Sequence, residues 1–106
     1  MADWAADVKK YVSNANEAAI AGLEKTYRLV MSSADSAYVA FSDKTELETV
    51  KKNFLEKKLG LTDTDGSFDA ALEHVGAVLK GVNKKSRITV YYLLAEKFGK
   101  LGDFAQ

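Results

Sequence analysis

An all-α fold is what this sequence predicts: a compact bundle of four to five main helices in a single helical domain over residues 1–106. Three observations predict it. The chain has no proline, so the commonest helix breaker is missing. Glycines stand where helices should end, at Gly60, Gly81 and Gly99, and glycine suits the left-handed position just past a helix. Apolar side chains recur every three or four residues through most of the chain, which is the spacing of one helical face.

The first helix is expected over Asp3 to Val12, with Trp4, Val8, Tyr11 and Val12 on one face. Asn16 is a good N-cap for a second helix that runs to about Met31. Its apolar face is Ile20, Leu23, Tyr27, Val30 and Met31, and Glu24 and Arg28 form a favourable pair four apart. After the break at Ser32-Ser33-Ala34, Asp35 or Ser36 caps a short third helix carrying Tyr38, Val39 and Phe41. Ser42-Asp43 opens a fourth, with Asp43 and Glu46 at capping-box spacing. Leu47, Val50, Phe54, Leu55 and Leu59 are its apolar side; Gly60 ends it, and Leu61 folds back on Leu55.

Thr62 to Gly66 is a polar turn. Asp65 or Ser67 caps a fifth helix, whose apolar face is Phe68, Leu72, Val75 and Leu79, and Gly81 closes it. Ser86 caps the last helix, Arg87 to about Phe98. Its run from Ile88 to Ala95 is apolar nearly all round, the mark of a central helix buried on several sides. The β-branched and aromatic content of that run also suits a strand. A lone strand would leave its backbone groups unpaired, and the sequence offers it no second strand, so helix is the expectation.

Composition excludes several function classes. Apolar residues make up 47% and charged residues 28%, a globular balance rather than a disordered one. Fifteen basic and fifteen acidic side chains cancel, whereas a general nucleic-acid or anionic-membrane binder carries a basic excess. No cysteine is present, which removes disulfides, thiol catalysis and thiolate metal sites. No basic stretch followed by an apolar run opens the chain, and no apolar segment approaches the roughly 20 residues that span a bilayer. A cytoplasmic protein is the expectation.

The ends of the chain carry a resemblance. Ala2-Asp3-Trp4 with Asp7-Val8-Lys9-Lys10-Tyr11-Val12, the block from Lys57 to Asp63, and the block from Val90 to Leu101 together resemble a bacterial family of small uncharacterised proteins, domain-of-unknown-function family 2853. The resemblance implies a bacterial origin and a compact helical fold with helix-pair topology like that of EF-hand domains. It brings no activity or site residue with it.

The most suggestive chemistry is the acidic turn, where Asp63, Asp65, Ser67 and Asp69 alternate with other residues between two helices. They are the candidate cation ligands, because calcium takes oxygen donors from such a loop. Neither register completes an EF-hand. With Asp63 first, Phe68 replaces the glycine and His74 the final glutamate; with Gly66 sixth, Leu61 and Leu72 replace the first and last ligands. A solvated turn with a helix cap accounts for the same residues. Lys84, Lys85 and Arg87, with Lys80 nearby, are candidate anion ligands, since Arg87 and Ser86 lie at a helix N-terminus. A solvated basic turn is the alternative, and the glycine spacing of a phosphate loop is missing. His74, the lone histidine, has no nucleophile or co-ligand named by the sequence and reads as a surface or boundary residue. Tyr91 and Tyr92, with Tyr11, Tyr27 or Tyr38, could line a cleft, although aromatics at helical spacing more often pack in a core.

No catalytic residue and no cofactor is assigned. The expectation is a non-enzymatic binding or protein-interaction module, with a homodimer or an unknown protein as partner. A divalent-cation site at the acidic turn, or a small enzyme whose site is invisible in sequence, are the competing classes.

Overall fold

The computed structural model describes residues 4–63 and 66–105. It is an all-α bundle with one very short strand pair. In chain order the elements are α1 (Trp4–Lys9), α2 (Glu17–Thr26), α3 (Arg28–Met31), α4 (Ala34–Ala37), β1 (Tyr38–Val39), α5 (Lys44–Val50), a π-helix (Lys51–Lys58), α6 (Ser67–Val78), β2 (Lys85–Ser86), α7 (Arg87–Lys97) and a 3₁₀ turn (Leu101–Asp103). Because α2–α3 and α5–π run on from each other, the main helices number five among the described residues, within the expected range.

Helix α7 is the axis. Every residue from Arg87 to Ala95 is buried, as a helix apolar on all sides requires. Helices α1, α2, α4 and α6 all pack against it. Two polar contacts fix the N-terminal helices to it. The Thr89 hydroxyl donates to the Asp7 carboxylate, and the Asn16 backbone N–H donates to the Tyr92 hydroxyl at 2.8 Å. Asn16 also caps α2 as expected, its side chain accepting from the Ala19 N–H at 3.1 Å. One residue therefore starts a helix and docks it.

Several expectations are corrected. The first helix stops at Lys9 because Lys10 and Tyr11 bond three residues back, to Asp7 and Val8, which tightens and ends the turn; Asp3 lies outside the described residues. The second helix breaks at Tyr27, which has φ −109° and ψ 24°. Thr26 donates its hydroxyl to the Gly22 carbonyl at 2.8 Å, a back-bond of the kind that bends helices, and the Tyr27 ring meets those of Tyr91 and Phe54. The short third helix ends at Ala37. Tyr38 and Val39 instead pair antiparallel with Ser86 and Lys85, so a strand does find a second strand, although neither includes the run from Ile88 to Ala95.

The fourth helix differs most. From Lys51 onward it widens into a π-helix, with the Leu59 N–H bonded five residues back to the Phe54 carbonyl at 2.9 Å. The cause is in the apolar spacing. Val50 and Leu59 are nine apart, and at about 100° per residue a regular α-helix would set them on opposite sides. The wider helix lets Val50, Phe54, Leu55 and Leu59 all enter the core. Gly60 then adopts φ 68°, and the Leu61 N–H folds back to the Leu55 carbonyl at 3.0 Å.

The residues after α7 close the bundle. Phe104 is buried and lies near-parallel to Phe54, which stacks on Tyr91 at 3.9 Å. The Phe104 carbonyl rests directly on Gly22: a Cβ there would fall 1.9 Å from its oxygen, so only glycine fits.

Candidate interaction groove

The surface feature that stands out lies where α1, α2 and α3 meet. Ala21, Glu24 and Lys25 from α2, Arg28 and Met31 from α3, Ser32 beyond it and Trp4 from α1 line a groove of about 640 Å³. Local structure builds it. The break at Tyr27 turns α3 away from the line of α2. Trp4 is held edge-on against Tyr38, ring centroids 5.9 Å apart, which fixes the aromatic wall. On the same short helix as Arg28 and Met31, Leu29 is 86% exposed. Glu24 and Arg28, expected to pair along one helix, form no ion pair among the described residues, because the break falls between them.

A second groove, about 550 Å³, runs between α5 and α6 and is lined by Phe41, Leu47 and Leu72 among others. Three of its five charged side chains are engaged with one another. Lys51 bridges Glu48 at 2.9 Å and Asp69 at 2.5 Å, and these two carboxylates raise its pKa.

The acidic turn is divided among separate tasks. Asp63 accepts from the Phe68 backbone N–H at 3.1 Å and from the Ser67 hydroxyl at 3.3 Å. It thereby caps α6 from five residues upstream, a role expected of Asp65 or Ser67. Gly66, at φ 74°, occupies the N-cap position itself. Asp69 points to Lys51, and Asp65 lies outside the described residues. Among the described residues no group of three or more His, Asp or Glu side chains is gathered as metal ligands would be. His74 is exposed.

The basic cluster is also dispersed. Lys84 lies over the Tyr38 ring, and Lys85 lies over Phe41 while donating to the Val82 carbonyl at 2.8 Å. Arg87 turns inward. Its Nε donates to the Ser36 carbonyl at 2.6 Å, Nη1 to the Tyr91 hydroxyl at 2.8 Å and Nη2 to Glu46 Oε1 at 2.6 Å. Burial alone would lower its pKa; Tyr91 and Glu46 outweigh that and raise it. Burial likewise raises the pKa of the Tyr91 phenol, and that of Tyr27 to well above the usual phenol range. Ser86 caps nothing with its side chain, and its buried hydroxyl has no partner among the described residues.

Sequence reasoning thus put Arg87 at a surface and left Leu29 unmentioned. The signal for Leu29 was available: in Leu29-Val30-Met31, three consecutive apolar residues of a helix cannot all face one core. No helix among the described residues is long and apolar enough to cross a membrane. The family described as "Protein of unknown function (DUF2853)" matches residues 3–102. No curated protein matches the chain.

Proposed function

The chain thus belongs to the DUF2853 family, and we propose that it is a non-enzymatic binding module that engages a protein segment through the α1–α2–α3 groove. The exposure of Leu29 carries this proposal. Among the described residues Leu29 is the most exposed large apolar side chain, 86% against 36% for Val78. Covering a leucine side chain stabilises a complex by about 2 kcal/mol, and an apolar projection on a helix that also lines a groove with an aromatic wall is what a partner would cover.

Trp4 is the single tryptophan and lines the groove, so its fluorescence reports occupancy. Short peptides carrying one leucine or phenylalanine between an aspartate and a lysine should shift Trp4 emission saturably. Ala21→Arg, an exposed substitution that fills the groove, should abolish the shift. Absence of any saturable response across the peptide set overturns the proposal.

A further inference from the structure

We propose that the segment seated in the α1–α2–α3 groove is acidic: a stretch of another protein in which one apolar side chain is flanked by carboxylates. This partner presupposes that the groove is the binding surface, as proposed above.

Charge points to such a partner. The charged side chains lining the groove are Glu24, Lys25 and Arg28, so cations outnumber the single carboxylate. They are also unequally placed: Lys25 and Arg28 are exposed, whereas Glu24 is half-buried. None of the three has an ion-pair partner among the described residues. The groove between α5 and α6 is different, because Lys51 there is held by Glu48 and Asp69. Behind the aromatic wall the charge is again positive. Lys84 is exposed and lies over the Tyr38 ring at 5.6 Å, and Trp4 is held against that same ring. The chain as a whole is formally neutral, so this local excess selects the partner rather than a global field.

The apolar part of the lining calls for one anchoring side chain. Tryptophan, methionine and arginine are enriched at protein interfaces, and Trp4, Met31 and Arg28 all line this groove. A methionine side chain adapts to the shape it meets, so leucine and phenylalanine both suit the site. The planar fork of Arg28 matches the two oxygens of a carboxylate. A nucleic acid suits the groove less well, since its phosphates follow one another without a gap and Glu24 repels them.

Trp4 emission reads the test on the full chain. Three end-blocked peptides carry a central leucine flanked by two aspartates, two asparagines or two lysines. The aspartate peptide should bind about fivefold tighter than the asparagine peptide, the effect of two exposed ion pairs, and the lysine peptide should bind most weakly. In about 0.5 M salt the preference for aspartate should shrink below about twofold. Lys25→Glu combined with Arg28→Glu leaves only carboxylates among the charges of the lining, and should invert the order so that the lysine peptide binds tightest. A misfolded chain cannot invert a preference, so inversion separates a changed charge from a lost fold. Equal binding of all three peptides to the parent chain overturns the acidic partner but leaves the groove as a binding surface. So does a preference for aspartate that salt leaves intact. An oligothymidylate that shifts Trp4 emission at lower concentration than the aspartate peptide overturns a protein segment as the occupant. Silence from every probe overturns the groove itself.

Discussion

Arg28 and Arg87 are the only arginines in the chain, and each is the first residue of a helix, where the backbone dipole disfavours a cation. Arg87 is buried, and three partners from three parts of the chain answer it: the Ser36 carbonyl, the Glu46 carboxylate and the Tyr91 hydroxyl. Arg28 is exposed and has no ion-pair partner among the described residues. Burial explains the contrast. A guanidinium withdrawn from water must be fully matched or the fold fails, so the interior recruits whatever acceptors lie within reach. Solvent satisfies Arg28 without help, which leaves its charge available to another molecule. The residue that looked like a ligand from sequence is a structural tie, and the residue that looked like half of an intrahelical pair is the one left open.

The contrast can be broken most forcefully at Arg87. Arg87→Ala leaves Glu46, the Ser36 carbonyl and the Tyr91 hydroxyl without their donor. It should destabilise the fold by about 3 kcal/mol, at the low end for a buried pair because Glu46 keeps 26% side-chain exposure. Calorimetry should show a melting temperature lower by about 15 °C. Glu46→Gln keeps an acceptor but not the charge, and urea unfolding should register a smaller loss, about 1.5 kcal/mol.

Alkaline titration probes the same interior. Tyr27 and Tyr91 have phenol pKa values raised by burial, and Lys51 is raised by Asp69 and Glu48. Groups with raised folded pKa values contribute fully below their unfolded values. Their contribution is lost as pH climbs from about 10 through the folded values. Stability should therefore hold from pH 7 to about 9.5 and fall by about 1 kcal/mol by pH 11, after discounting for the exposure of Tyr27. Phenolate absorbance should show Tyr27 and Tyr91 ionising only with unfolding. The smallest effect belongs to Arg28: Arg28→Ala should change monomer stability by less than about 0.5 kcal/mol, and a larger loss would show that Arg28 is a structural tie after all.

What the sequence made legible was what local spacing controls. Helical periodicity located α2, α6 and α7, and Gly60, Gly81 and Gly99 all adopt positive φ at helix ends. Asp43 caps α5 as its position suggested, accepting from the Thr45 and Glu46 N–H groups. The other half of that capping box does not form: the Asp43 N–H donates to the Ala40 carbonyl at 3.1 Å, and Glu46 is claimed by Arg87, 41 residues away, a competitor that no local pattern reveals. The strand pair escaped notice for a similar reason: two residues on each side are too few to show alternation. The π-helix was legible but unread, because Leu59 is out of phase with Val50. Of the groove, Trp4 and Met31 stood out in sequence as core residues, and Glu24 and Arg28 as a pair along one helix. Its existence depends on a bend at Tyr27 that comes partly from contacts with Phe54 and Tyr91, far along the chain.

The central position of α7 also sets an order of events during synthesis. It is the last of the main helices to be made, yet α1, α2, α4 and α6 need it as their packing surface. Asp7 waits for Thr89, 82 residues later, and Asn16 for Tyr92, 76 residues later. An emerging chain can form helical turns early, but its core waits for α7. Leu23, Val50 and Phe68 are all made before α7 and wait for their cover until it arrives. The cell must keep a neutral nascent chain with uncovered core residues from sticking to its neighbours until one helix arrives to gather it.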